Sequence, residues 1–437
     1  MMAAVTVLVG LSRIVVDLGL SAALVQNNNI TEKHYGAVFF VHLMVGLICA
    51  ALMLMGSGAI ENFFGMEGLS EISRVCAWLF LLNAISFVPL SRLEKMRQFR
   101  YVARVELYST LLSTTLAIYL AWKGYGVWAL VASFYSMSIT MALLALYFSR
   151  WVPKIFIGKK ELAELWVFSR YLVAMQALNY AAGNLDKILI GKYLGAQTLG
   201  AYRYGDRIAQ LPTMLVNKIF GRVLFPAFSS YQNDKARIRY QYLKAIRLVS
   251  FVTFPVLLGL SMISDHVVMT ILGDKWSEMV VILPLLALSL LLTTIGVLNL
   301  NIYKALGRTK RLFKISVLFR INLIVCMFVG IQYGLVGLLI GLIVARYVNF
   351  LPALYVAGRL IDVSLNDVSM NIYRALVSCG VMIGVLFMAE NIFALLPGSF
   401  ISMLILMALG VASYMLVSFV FQRQTLTDIV NIIGIRK

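Results

Sequence analysis

Long apolar stretches separated by short polar gaps run through most of the chain. The stretches 124–149, 279–303 and 399–422, for example, contain no Asp, Glu, Lys or Arg. Each is long enough to cross the bilayer core, which takes about 20 residues of helix. The pattern therefore predicts an all-α polytopic membrane protein with about thirteen transmembrane helices. These spans are expected at 3–25, 35–56, 72–91, 105–122, 125–149, 164–190, 197–224, 243–264, 279–303, 314–331, 335–357, 372–390 and 399–421.

Basic residues are concentrated in alternate gaps between these spans. The gaps 92–104, 150–160, 235–247 and 304–314 are rich in Lys and Arg, whereas 57–71 contains Glu and no base. Cytoplasmic loops carry the excess of Lys and Arg, so the basic gaps and the C-terminus are expected in the cytoplasm. The longest predicted outer loop, 57–71, carries no arrangement of catalytic residues, which disfavours an integral-membrane glycan polymerase or ligase.

The composition agrees with a membrane protein and excludes several other classes. Of 437 residues, 61% are hydrophobic and 13% charged, against about half and a quarter in an ordinary soluble domain. The net charge of +19 does not indicate nucleic-acid binding, because most bases lie in short loops where they orient the chain and meet anionic lipid. No phosphate-binding Gly loop is present, the four cysteines lie within predicted spans, and the three histidines are scattered. We expect no metal and no cofactor.

The two halves of the chain resemble each other. Segments 99–126 and 307–334 each contain a basic entry, one apolar span and a Tyr-Gly turn. Repeated bundles with a substrate path between them are typical of secondary transporters. The predicted domains are an N-terminal lobe at 1–150, a cytoplasmic linker at 151–163, a C-terminal lobe at 164–360, and an extra helix pair with a cytoplasmic tail at 361–437.

Two sequence runs resemble a known family. NLDKILIGKYLG at 184–195, followed by LGAY at 199–202, and DLGLSAALVQ at 17–26 are similar to the polysaccharide transporter family. These are the Wzx-type lipopolysaccharide and exopolysaccharide repeat-unit flippases of the multidrug/oligosaccharidyl-lipid/polysaccharide exporter superfamily. The similarity covers essentially the whole chain, in the same order of spans and loops.

The resemblance implies a fold of twelve or fourteen helices in two related six-helix lobes, often with an added pair. Counting back from a cytoplasmic C-terminus leaves Met1 outside, and no basic flank precedes the first span. We therefore expect the first helix of a fourteen-helix arrangement to be missing, through truncation or through the choice of start codon.

The resemblance also implies a function. Members move undecaprenyl-pyrophosphate-linked oligosaccharide across the bacterial inner membrane by alternating access, for the synthesis of O-antigen, capsule or exopolysaccharide. Lipid-linked oligosaccharide and membrane lipids are then the expected partners, with a glycan polymerase and a chain-length regulator as candidates. An ion-coupled drug or small-molecule antiporter of the same superfamily is the alternative.

Bases inside the predicted spans are the candidate substrate site. A charge at the bilayer centre costs about 2.5–3.5 kcal/mol on insertion scales, so such groups face a cavity or a partner. The forked guanidinium donors of Arg suit phosphate oxygens, which favours a cationic cavity for the pyrophosphate. Snorkelling and structural ion pairs are the alternative. The candidate residues are Arg13, Arg203, Arg207, Lys218, Arg222, Arg320 and Arg346.

Three acidic residues inside or beside the spans could take up a coupling ion. They are Asp17, Asp186 and Asp206. Each has a basic neighbour in sequence, so a structural ion pair is the alternative interpretation.

Amides and a phenol on the span 164–190 are candidate sugar contacts. They are Gln176, Asn179, Tyr180 and Asn184. Such groups suit sugar hydroxyls, but they serve equally as hydrogen bonds between membrane helices.

Overall fold

The computed structural model describes residues 6, 10, 15–27, 29–230, 234–306, 309–393 and 396–433, without the side chains of 216–230, of 429–433 and of scattered positions in 168–182 and 300–313. The described residues form helices and no β-strand. The helices are α1 (Leu20–Gln26), α2 (Glu32–Phe64), α3 (Leu69–Ala77), α4 (Leu79–Lys95), α5 (Phe99–Trp122), α6 (Val127–Ser149), α7 (Lys159–Tyr193), α8 (Gly195–Ser230), α9 (Lys235–Met262), α10 (Ser264–Val267), α11 (Glu278–Ala305), α12 (Thr309–Ile331), α13 (Gly334–Gly358), α14 (Leu365–Ile392), α15 (Phe400–Phe421) and α16 (Arg423–Ile433).

The all-α membrane class predicted from hydropathy is confirmed. Within the described residues, nine helical segments are long and apolar enough to cross a membrane, with α3 and α4 forming one of them. Every predicted span after the first coincides with one of the helices. The predicted span 3–25 is only partly described, and its described end contains α1.

The outer loop predicted at 57–71 is much shorter than expected. Helix α2 continues to Phe64 and α3 begins at Leu69. Gly65 and Gly68 adopt φ of +60° and +79°, a left-handed conformation that glycine reaches without a Cβ penalty. The polar residues before Phe64 therefore extend the helix beyond its apolar part, and 65–68 connects the two helices.

Packing divides the chain into two compact units, Met1–Gly200 and Ala201–Lys437. In the first unit, α7 packs against α1 and α2. The core there includes Phe39 and Trp151, whose ring centroids lie 5.4 Å apart, together with Leu165 of α7. The lobes predicted from the internal repeat place α7 in the second half, so the repeat and the packing divide the chain differently. The two-lobe organisation stays a prediction.

In the second unit, α12 and α13 form a hairpin that depends on glycine. A Cβ on Gly341 would lie 2.5 Å from the carbonyl oxygen of Cys326, and one on Gly337 would lie 2.5 Å from that of Gly330. Small residues at such positions let membrane helices approach closely. The close contact sets the register of the two helices that carry Arg320 and Arg346.

The cytoplasmic tail predicted after the last span is a helix that docks on α9. The Asp428 carboxylate of α16 lies 2.8 Å from Lys244 Nζ and 2.7 Å from an Arg247 guanidinium nitrogen. The side chains of Asp428 and Arg247 are each only 15% exposed. The tail is therefore held to the second unit by a partly buried ion-pair network.

We predict that Gly341→Ala lowers the melting temperature of the purified protein. The new Cβ meets backbone rather than a flexible side chain, so α12 and α13 must separate, at a cost of about 1–3 kcal/mol. Gly384→Ala is the matched control, because a Cβ added there would have no atom within 4 Å and alanine favours the helix. Tryptophan fluorescence during thermal unfolding in detergent measures the melting temperatures of both variants. If Gly341→Ala lowers the melting temperature no more than Gly384→Ala does, the packing described is contradicted.

Candidate functional site

One face of α8 carries a polar stripe near the start of the second unit. Arg203, Asp206, Arg207 and Gln210 fall within an arc of about 100° at 3.6 residues per turn. Asp206 is buried, and its carboxylate accepts a hydrogen bond from Gln210 Nε2 at 2.7 Å. Arg203 is half-buried and Arg207 is exposed. Among the described ion pairs none includes Arg207, so its charge is available to a ligand.

The rest of α8 explains why Arg203 and Arg207 of the stripe lie away from the core of their unit. A Cβ on Gly205 would lie 3.2 Å from Ile282 of α11, and Tyr202 is fully buried. Tyr204 meets Trp276 edge to face, with ring centroids 4.8 Å apart. The helix thus packs through Tyr202 and Gly205, with Asp206 buried beside them, and keeps Arg203 and Arg207 on the opposite side.

Arg346 lies at the middle of α13, within a predicted membrane span. Its Nη1 donates a hydrogen bond of 2.5 Å to the hydroxyl of Ser289 on α11. Ser289 is fully buried. Within the described part of the chain, no carboxylate lies within ion-pair distance of Arg346. This guanidinium therefore lies within a predicted membrane span, with a hydroxyl as its described partner.

The hairpin around Arg346 contains further polar groups that the sequence did not single out. Asn322 Nδ2 donates to Asn349 Oδ1 at 2.9 Å, and Asn349 Nδ2 donates to the carbonyl oxygen of Phe319 at 3.0 Å. Arg320 lies at the middle of α12 and is half-buried. An asparagine inside an apolar span is the signal that could have identified this pair.

An apolar groove of about 770 Å³ lies beside α8 in the same unit. Ile208 and Leu211 of α8, Val256 of α9 and Met407 of α15 line it together with α14. None of its lining residues is charged, and Val256 and Leu211 are about half exposed to it. Helix α8 therefore borders an apolar groove on one side and carries the polar stripe on another.

In the first unit, Asp17 lies beside His42 of α2. His42 is fully buried, and its Nε2 lies 3.1 Å from the Asp17 carbonyl oxygen and 3.8 Å from the carboxylate. The carboxylate also accepts a hydrogen bond from the Ser21 backbone N–H at 3.2 Å. The pairing of a buried histidine with this aspartate was not predicted, because the two residues belong to different spans.

Two of the ion pairs weighed from sequence are not seen. Among the described pairs, Asp206 is not joined to Arg207, nor Asp186 to Lys187. Adjacent residues of a helix point about 100° apart and do not face each other. Lys187 Nζ instead lies 3.3 Å from Asn184 Oδ1.

Of the candidate sugar contacts, Asn184 bonds within its own helix. Its Nδ2 donates to the carbonyl oxygen of Tyr180 at 2.9 Å. Gln176 and Tyr180 are half-buried on the same helix. A sugar-binding role for these residues stays a prediction.

Four of the predicted site residues have side chains outside the described part of the chain. They are Arg13, Asn179, Lys218 and Arg222. Their proposed roles stay predictions from sequence.

Comparison with known proteins places this geometry in a family context. A family model described as polysaccharide biosynthesis protein matches residues 1–281. The chain is 28% identical over 304 residues to the teichuronic acid biosynthesis protein TuaB of Bacillus subtilis (strain 168), covering 69% of this chain and 63% of TuaB. It is 24% identical over 353 residues to the lipopolysaccharide biosynthesis protein WzxC of Escherichia coli (strain K12), covering 80% of this chain and 72% of WzxC. The alignment thus spans less than two thirds of the length of TuaB.

Among solved structures, the chain is similar to the lipid II flippase MurJ in an inward closed conformation. The TM-score is 0.78 at 16% identity, over 97% of this chain and 93% of MurJ. At that identity the likeness shows the fold alone.

We predict that Arg346→Met leaves the melting temperature unchanged or raises it. Replacing a charge that has no carboxylate partner with an apolar side chain removes a desolvation cost. The matched control is Arg247→Met, which weakens the network around Asp428 and is expected to cost about 1–3 kcal/mol. Thermal unfolding of both variants in detergent tests this. Equal destabilisation by the two substitutions would show that Arg346 is a structural residue.

Proposed function

The chain belongs to the polysaccharide biosynthesis protein family, and on that basis we propose that it is a flippase for lipid-linked oligosaccharides. Its substrate is an undecaprenyl-pyrophosphate-linked oligosaccharide, which it moves from the inner to the outer leaflet of the bacterial inner membrane by alternating access. The C-terminus lies in the cytoplasm in this proposal, as the alternation of basic loops predicts. The observation that carries the proposal is Arg346, a base at membrane depth without a described carboxylate partner.

Such a base is suited to an anionic passenger. Its charge is costly in the empty protein and becomes favourable when an anion arrives, so affinity depends on the charge of the ligand. Arg presents several N–H donors in a planar fork that matches phosphate oxygens. Arg207 adds a second cation that is free of described ion pairs, and Arg320 is a third candidate at the middle of its helix.

The apolar groove supports a ligand that also has a lipid tail. The groove is uncharged and lies along α8, whose neighbouring face carries Arg203 and Arg207. A polyprenyl chain could lie in such a groove by burying apolar surface, while its diphosphate reaches the polar stripe. We assign the groove to the polyprenyl tail of the substrate.

The names of the similar proteins support the same class of substrate. TuaB is named for teichuronic acid biosynthesis, WzxC for lipopolysaccharide biosynthesis and MurJ as a lipid II flippase. The polymers differ, so only their common feature, a lipid-linked glycan, is transferred to this chain. A glycan polymerase and a chain-length regulator stay predicted partners.

The alternative antiporter of organic cations fits the site less well. A drug-exporting site for organic cations is expected to show an excess of acids, whereas the candidate charged residues in or beside the predicted spans include more bases than acids. The basic residues Arg207 and Arg346 would repel a cation. Ion coupling through Asp17, Asp186 or Asp206 remains part of the proposal, because a flippase can use the same groups on its return step.

We predict that Arg207→Gln, Arg320→Gln and Arg346→Gln each abolish export of surface glycan while the protein stays in the membrane. Each removes a charge that the diphosphate needs at membrane depth. Arg359→Gln is the control, because Arg359 is exposed just after α13. Glycan export in a complemented deletion strain, with immunoblots of the membrane fraction, measures the effect. Wild-type export by all three variants would remove the cationic site from the proposal.

A second prediction concerns the groove. Val256→Phe places a ring in the half-exposed groove without displacing a buried side chain, so the melting temperature should be kept. Export should fall by about 10-fold or more, because the ring removes apolar contact with the tail that is worth roughly 1.5–3 kcal/mol. Val420→Phe adds the same bulk on an exposed position of α15 outside the groove lining. Equal export by the two variants would contradict the assignment of the groove.

A further inference from the structure

Three potential metal ligands meet where α10 lies beside the last turn of α14. They are Asp265 and His266 of the segment after α9, and Glu390 of α14. One ligand atom from each side chain lies within 4.8 Å of the other two. Glu390 lies 124 positions after His266 in the sequence, so only the fold brings it to the other two residues.

His266 is the residue that points to a ligand. Its side chain is fully buried, and neither ring nitrogen has a hydrogen-bond partner among the described residues. A buried imidazole normally donates or accepts at both nitrogens, since an unsatisfied polar group is costly. Its Nε2 faces the Glu390 carboxylate at 3.7 Å.

The two carboxylates are placed to complete a coordination sphere. Asp265 is half-buried and uses Oδ1 to accept the His266 backbone N–H at 2.8 Å, which orients its other oxygen. Glu390 is 36% exposed, so the cluster is open to solvent on one side. Ligand atoms around a tetrahedral zinc with bonds of about 2.0–2.2 Å lie about 3.4 Å apart. The three ligand atoms lie within 4.8 Å of one another, so they must approach by up to about 1.4 Å to reach this spacing.

We propose that Asp265, His266 and Glu390 form a binding site for a divalent transition-metal cation of the zinc class. One imidazole and two carboxylates, with an open position for water, is a donor set that such ions accept. The site lies at the end of the second unit that the charge pattern predicts to be extracytoplasmic. A bound cation would join α10 to the end of α14 and hold the C-terminal helix pair to the unit. This site does not depend on the proposed transport function.

Zinc binding to the full-length protein tests the site. The protein is purified in detergent with a histidine-free affinity tag, stripped with a chelator, exchanged into chelator-free buffer and titrated with zinc chloride against a competing fluorescent chelator. Mass spectrometry of bound metal should give one zinc per chain. Saturating zinc should raise the melting temperature, because it binds only the folded state.

Single substitutions assign the ligands. Glu390→Gln keeps the buried histidine and should weaken zinc binding by about 100-fold or more, since even outer-shell partners of metal ligands contribute about 10–100-fold. His266→Gln should do the same. His34→Gln removes the histidine that lies 3.3 Å from Glu164, and Asp274→Asn removes an exposed acid close in sequence; both should bind zinc like the wild type.

Two results would overturn the proposal. One is that the wild-type protein binds no stoichiometric zinc, or that both Glu390→Gln and His266→Gln bind zinc with wild-type affinity. The other is a melting temperature that does not respond to zinc but changes with pH, with the pH dependence lost in Glu390→Gln. That result would show that the cluster is only an ion pair between a protonated histidine and a glutamate.

Discussion

The guanidinium group of Arg346, which lies within a predicted membrane span and has no carboxylate at ion-pair distance among the described residues, is the feature on which this interpretation depends. Such a charge costs free energy in the empty protein, and the hydroxyl of Ser289 is only a partial compensation for Arg346. A half-buried base inside a predicted span that served stability alone would be better replaced by an apolar residue or matched with an acid, as Arg247 is with Asp428. In the proposed function, the diphosphate of the ligand supplies the negative partner for this charge.

Helix α8 carries charged residues on one face and borders an apolar groove on another. One of its faces packs through Tyr202 and Gly205, a second borders the apolar groove through Leu211, and a third carries Arg203 and Arg207. A ligand with an apolar chain attached to a diphosphate has the same division into apolar and anionic parts. The close glycine packing of α12 and α13 fixes the neighbouring base, because the hairpin can adopt only one register at that separation.

Hydropathy predicted the helices well, because the need for about 20 apolar residues per span is a strong physical constraint. The orientation inferred from the basic loops stays a prediction. Helix α2 continues past the predicted end of its span, because polar residues in a sequence do not show whether they belong to a helix end or to a loop. The structure shows that the connection begins at Gly65, which is left-handed like Gly68. Contacts between distant spans could not be predicted at all. The sequence therefore did not reveal that His42 lies beside Asp17 or that His266 faces Glu390. Arg320 and Arg346, by contrast, could be identified as charges inside apolar runs of the sequence.

The most direct measurement is equilibrium binding of matched lipid-linked sugars to the purified protein in nanodiscs. Two ligands share one polyprenyl chain and one oligosaccharide, and differ only in a diphosphate or an uncharged linker. If the guanidinium groups of Arg207, Arg320 and Arg346 recognise the diphosphate, the charged ligand should bind at least about 10-fold more tightly, a difference of about 1.4 kcal/mol. The preference should weaken when Arg346 is replaced by glutamine. Equal affinity for the two ligands in the wild-type protein would contradict the interpretation.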